Sequence, residues 1–230
     1  MIIEICANSY QSAKNAQEAG AHRIELCQEL PVGGITPSYG LLKQVLESLT
    51  IPVFVLIRPR SGDFVYNEEE FEIMKKDIQL CKELGCAGIV SGILHPNFTI
   101  DVKRTQTLVA LAHPMEFTFH RAFDEVKNPK KEIQQLMTMG VQRILTSGQK
   151  SKAIEGLELL KTLRELANDR IHIMPGSGIT AENAKEFKAA GFSQIHASAS
   201  SIKNQEDSIF SQPQSYSDPI KIKAILDAVH

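Results

Sequence analysis

Short β-branched runs alternate along this chain with longer stretches in which apolar residues recur every three to four positions. The runs lie at residues 2–6, 23–27, 53–58, 88–92, 116–120, 143–147, 171–175 and 194–198. They read as strands, and the stretches between them read as helices at 12–19, 41–49, 68–84, 103–111, 131–139, 154–167 and 181–190, with an eighth at 220–229. Strict alternation implies parallel strands, and eight strand-helix units imply one closed (β/α)8 barrel over residues 1–230. A doubly wound open sheet is the competing arrangement. Residues 203–219, rich in Gln, Ser and Asp, break the pattern and read as a surface loop.

A weak internal repeat supports the eightfold count. Gly20 to Ile24, Gly85 to Ile89, Gly140 to Ile144 and Gly191 to Ile195 all follow the pattern G-x-x-x-I, each opening an even-numbered strand. A glycine there suits a left-handed helix cap, and the isoleucine begins burial. Strand side chains alternate, so if each isoleucine faces the helices, then Glu25, Val90, Leu145 and His196 face the axis, with Cys27, Gly92, Ser147 and Ser198 above them. In the fifth strand Phe117 and Phe119 take the helix side, which turns Thr118 and His120 inward. The same reading turns Glu4, Cys6 and Arg58 inward. Charges inside a barrel are costly unless paired or hydrated. These residues are therefore expected to share a polar pocket at the strands' C-terminal ends, where barrel enzymes place their chemistry.

Composition narrows the possible roles. Hydrophobic residues make up 43% and charged residues 23%, with a net charge of −2. This is the balance of a soluble globular protein, and it lacks the basic excess that nucleic-acid or anionic-membrane binding requires. No apolar run reaches the length of a membrane span, and Met1 to Ile5 has no signal-peptide character. A cytoplasmic protein is expected, with Cys6, Cys27, Cys81 and Cys86 as free thiols rather than disulfides.

Chemistry-bearing motifs follow the strands. Arg58-Pro59-Arg60 holds two guanidiniums stiffly, which suits an anion. His120-Arg121-Ala122-Phe123-Asp124 places a histidine beside an arginine and an acid, a set fit for acid–base work. Thr146-Ser147 and Gly176-Ser177-Gly178 expose backbone amides, the latter ahead of a helix with Thr180 as its N-cap; barrels often hold phosphate there. His196 and Ser198 end the eighth strand. Cys6 and Cys27, on neighbouring strands, have the softness for Cu(I) or zinc. No strand end carries a lysine, which disfavours Schiff-base chemistry, and no P-loop or dinucleotide fingerprint occurs.

Taken together, Glu4-Ile5-Cys6-Ala7, Arg23-Ile24-Glu25-Leu26-Cys27, Gly33-Gly34-Ile35-Thr36-Pro37-Ser38, Pro52 to Arg60 with Gly62-Asp63-Phe64, Phe119-His120-Arg121-Ala122-Phe123-Asp124, Arg143 to Gln149 and Met174 to Ile179 resemble the CutC family, named for copper homeostasis. The resemblance covers roughly residues 1–200. It departs mildly at Ser177, where the family often has glycine. It implies a TIM-barrel fold, a cytoplasmic location, an oligomer with a dimer favoured, and a copper label. Two readings stand. In one, Cys6 and Cys27 bind Cu(I). In the other, an enzyme acts on a small anionic or phosphorylated compound, with Arg58 and Arg60 holding the anion and Glu25 and His120 moving protons. A variant of the second has Glu4, Glu25, His120 and His196 holding a divalent metal.

Overall fold

The structure, a computed structural model, describes residues 1–203 and 214–230. Eight parallel strands form one sheet: β1 (Ile2–Ala7), β2 (Arg23–Leu26), β3 (Val53–Leu56), β4 (Gly88–Ser91), β5 (Glu116–Phe119), β6 (Arg143–Thr146), β7 (His172–Pro175) and β8 (Gln194–Ala197). β1 to β7 pair in sequence order, and β8 pairs with β1. A single parallel bridge between Gly176 and His196 joins β7 to β8 and closes the barrel. Eight helices alternate with the strands: α1 (Tyr10–Glu18), α2 (Tyr39–Ser48), α3 (Glu68–Glu83), α4 (Val102–Ala112), α5 (Pro129–Thr138), α6 (Leu157–Ala167), α7 (Ala181–Ala189) and α8 (Pro219–Ala228). The chain is thus a (β/α)8 barrel and not an open doubly wound sheet.

The repeat glycines do what their spacing predicts. Gly20, Gly85, Gly140 and Gly191 have φ of +94°, +80°, +77° and +83°, a conformation that side chains resist. Each ends a helix, and the following isoleucine is fully buried between sheet and helices. The outer core takes Ile3, Ile5, Ile24, Val55, Ile89, Phe117, Phe119, Ile144 and Ile195. The inner core is separate and small: Cys6, Cys27, Phe54, Leu56 and Val90. The two clusters sort the alternating positions onto opposite faces of the sheet, as the register argument requires.

Residues 203–219 are not simply a loop. Their ends form a short antiparallel ribbon, with β9 (Ser200–Lys203) paired to β10 (Gln214–Ser217); residues 204–213 of the expected loop lie outside the described residues. The ribbon is pinned to the rim. Asn15 Nδ2 donates to the Ser217 carbonyl (2.9 Å), Asn8 Nδ2 to the Ser215 carbonyl (3.1 Å), and the Ser217 hydroxyl to the Cys6 carbonyl (3.1 Å). A polar Gln-Ser-Tyr-Ser strand gives no hydrophobic alternation, so its sequence hides it.

Candidate functional site

A cavity of about 1010 Å³ opens at the C-terminal ends of the strands. Its wall includes Cys6, Glu25, Cys27, Arg58, Phe64, His120, Arg121, Asp124, Ser177, Gly178, His196 and Ser198. All of these but Phe64 are site residues expected from sequence, and further residues such as Leu30, Glu125 and Lys221 complete the wall. Arg60, Thr146, Ser147 and Gly176 are not on this wall.

Below the cavity lies a charged layer. Arg23 Nε donates to Glu4 at 2.5 Å, and Arg23 Nη2 donates to Gln194 at 2.6 Å. Arg143 pairs with Glu116 and reaches the Thr118 hydroxyl at 3.3 Å. Both guanidiniums lie against the Phe54 ring, 5.0 and 4.8 Å from its centre. Gly88 makes room for that ring: a Cβ there would come 2.2 Å from it. Sequence reading missed Arg23 and Arg143, yet the signal was present. Both stand one residue before the repeat isoleucine, and alternation sends that position inward as surely as the one after it.

Above this layer Glu4, Glu25 and His196 meet. His196 Nδ1 donates to Glu4 at 2.8 Å and lies 3.5 Å from Glu25. Burial works to raise the Glu4 carboxyl, but the His196 hydrogen bond and the Arg23 charge overcome it and hold Glu4 at about 2. Burial also opposes charge on His196, but hydrogen bonds to Cys6 and Glu4 and the two carboxylate charges raise it well above its ordinary value. Glu25 goes the other way: burial pushes it up to about 7 against His196 and Arg23, with Glu4 adding to the rise. Burial thus outweighs the charge of Arg23 at Glu25. Ligand atoms of Glu4, Glu25 and His196 lie within 4.8 Å of one another, close enough to share an ion, and His120 is outside that group.

The thiols sit beside this cluster. Cys6 Sγ and Cys27 Sγ are 3.6 Å apart, both buried and unlinked. Adjacent parallel strands β1 and β2 set the spacing, with Cys6 paired in register to Glu25. The hydrogen bond with Cys27 and burial raise the Cys6 thiol well above its ordinary value, while a hydrogen bond from His196 opposes them.

Across the cavity Arg58 is 5% exposed and His120 4%. Arg58 donates to the carbonyls of Val32 (2.8 Å), Gly34 (2.9 Å) and Gly62 (2.6 Å), and its guanidinium carbon lies 4.9 Å from the centre of the Phe64 ring. The His120 ring packs on Phe64 at 4.8 Å, and its Nδ1 accepts the Ala122 N–H at 3.2 Å. Burial, Arg58 and Arg121 depress His120 to about 3, so it is a neutral imidazole with its proton on Nε2. A histidine in this state donates a hydrogen bond; it does not collect protons near neutrality. Gly92 gives the ring its space, since a Cβ there would come 2.7 Å from Nδ1.

The other expected residues are tied into the frame. Arg60 bonds Glu70 at 2.5 Å and Asp63 at 3.0 Å, so its charge is already met. Glu70 comes from the first turn of α3, a partner that no local pattern announces. Asp124 accepts from Thr146 Oγ1 (2.5 Å), Ser147 N (3.0 Å), Gln149 N (3.1 Å) and Arg121 Nε (2.8 Å). This network anchors the β5 and β6 ends and leaves the Asp124 carboxylate saturated. Ser177 takes φ of +85° and donates to the Ser151 carbonyl. Thr180 caps α7, its N–H bonded to Asn183 Oδ1 at 2.9 Å. Among the described residues no helix is long and apolar enough to cross a membrane.

Comparison with known proteins agrees with the motifs. The CutC family model matches residues 1–201. The human copper homeostasis protein cutC homolog is 47% identical over 204 residues, covering 88% of this chain and 75% of the human protein. A family protein CutC from Pasteurella multocida is 44% identical over 207 residues, covering 90% and 85%. The crystal structure of a CutC protein from Streptococcus agalactiae superimposes with a TM-score of 0.81 at 40% identity, covering 86% of this chain and 98% of that one. A thiamine phosphate pyrophosphorylase from Pyrococcus furiosus, 15% identical with a TM-score of 0.63 over 99% of this chain and 95% of its own, shares the fold alone. By family match, identity and fold, this chain belongs to the CutC family of copper homeostasis proteins.

Proposed function

We propose that this chain binds Cu(I) as cargo through Cys6 and Cys27, at the inner wall of the barrel mouth. The observation that carries the reading is the 3.6 Å separation of the two sulfurs. Thiolates are soft ligands suited to Cu(I). With metal–sulfur bonds of roughly 2.3 Å, two sulfurs on one ion stand at most about 4.6 Å apart. A separation of 3.6 Å fits a bent pair with one side of the ion facing the cavity, where copper enters and leaves. Cys6 sits on β1, and Cys27 directly follows β2 with its N–H bonded to the Ala7 carbonyl at 3.0 Å, so the pair is held before the metal arrives.

Binding requires the thiol protons to leave. The Cys27 sulfur and burial resist that loss at Cys6, and the positive charge of His196 works against them. Glu4 and Arg23 hold His196 and each other in place from below.

A competition titration with a coloured Cu(I) chelator tests the reading. One Cu(I) per chain is expected, with affinity rising with pH because protons are released. A Cys6→Ala, Cys27→Ala double variant that binds Cu(I) as tightly as the parent overturns it.

A further inference from the structure

The wall opposite the thiols carries a second set of groups that copper does not use. Arg58 is a buried cation with no carboxylate within ion-pair distance among the described residues. Its donors reach only backbone carbonyls, and its Nε–H has no partner. Burying a guanidinium against neutral dipoles alone leaves much of its desolvation cost unmet. Close by, the neutral His120 ring is fixed by the Ala122 N–H with its proton on Nε2, and Nε2 also has no partner. Unpaired buried polar atoms are rare in folded proteins. Of the four among the described residues, one is on Arg58 and one on His120, and both of these residues line the cavity. Two unpaired donors on neighbouring residues of one cavity wall are a ligand signal.

The acids on this side do not supply the missing charge. Asp124 is saturated by Arg121, Thr146, Ser147 and Gln149. Asp63 and Glu70 are taken by Arg60. Phe64 packs on both Arg58 and His120 and lines the cavity, giving the polar pair an apolar flank. One cation, one neutral donor and an aromatic side wall in a cavity of about 1010 Å³ match an organic molecule bearing an acidic group.

We propose that Arg58 and His120 form the acid-recognising end of a binding site for a small organic anion, a carboxylate or phosphate ester of metabolite size, in the same cavity as the thiol pair. The anionic oxygens accept from both donors, and the rest of the molecule extends over Phe64 into the cavity. This goes beyond copper binding and does not depend on it.

The test uses the full-length parent protein and nitrogen-detected NMR of its histidines. The probes are inorganic phosphate, three- to six-carbon organic acids, their phosphate esters, and the matching neutral amides and alcohols. At least one organic anion is expected to bind at millimolar concentration or tighter and to shift the His120 ring nitrogens, with its neutral analogue silent. His120→Phe, which keeps an aromatic ring beside Phe64 and removes the donor, should weaken that binding about tenfold, consistent with loss of one hydrogen bond. The Cys6→Ala, Cys27→Ala variant should bind the anion as the parent does, which separates this site from the copper reading. Preference for carboxylates or for phosphate esters distinguishes the two chemistries. Still His120 resonances throughout the panel, response to inorganic phosphate alone, or equal response to anions and neutral analogues would each overturn the proposal. Because the parent carries the readout, the result stands even if an Arg58 variant fails to fold.

Discussion

Glu25 shows how burial on a β-strand sets the chemistry of a single side chain. Its folded value of about 7 lies above the ordinary 4.5 of a glutamate. Between those two values the folded protein holds a proton that the unfolded chain has released, so stability falls as pH rises through that window. The shift corresponds to at most about 3 kcal/mol. Glu25→Gln cannot titrate, so its stability relative to the parent should improve steadily from pH 4.5 to 7 in urea unfolding; parallel curves would contradict this. A decline above pH 6.5 that survives in the variant belongs to His196, whose raised folded value adds stability below 6.5 that is lost at higher pH. Gly92 offers a second test. An added methyl would press on His120 at 2.7 Å, so Gly92→Ala should cost about 1–3 kcal/mol. Gly40, a helical position with nothing within 4 Å, should gain stability as alanine. Equal melting shifts for the two would show that His120 is not tightly held. Alternation alone places Glu25, His120, His196 and both thiols on the inner face. Arg23 is hidden in the sequence because a basic residue opening a strand ordinarily reads as solvated.

Among the elements, the helices and the eight barrel strands were legible because their apolar periods differ and glycines mark the junctions. The β9–β10 ribbon was not, because its fixing comes from side chains distant in sequence. Asn15, on α1, reaches the Ser217 carbonyl 202 residues away, and Ser217 in turn bonds the Cys6 carbonyl. The ribbon therefore links the rim to the strand that carries Cys6. Asn15→Ala should free the end of β10, at a cost of about 1–3 kcal/mol for the carbonyl left unpaired. Hydrogen exchange at Gln214–Ser217 should then quicken while exchange in β1 through β8 stays slow. Uniformly unchanged exchange would mean that the ribbon is held by other contacts.

In the molecule as a whole, a barrel floor of charge supports a mouth of mixed chemistry. Barrel interiors are commonly filled with branched apolar residues. Here Arg23, Arg143, Glu4 and Gln194 fill the lower layer and clasp Phe54 between them. The floor lies beneath the cavity, which opens at the strands' C-terminal ends. On one wall stand the two thiols and His196; on the other stand Arg58 and His120. Copper binding by the thiols of the first wall is read out by X-ray absorption at the copper edge of the Cu(I)-loaded protein. A first shell of about two sulfurs at roughly 2.2–2.3 Å is expected, absent from the Cys6→Ala, Cys27→Ala variant. A shell of nitrogen and oxygen alone, or an unchanged sulfur shell in that variant, would contradict it.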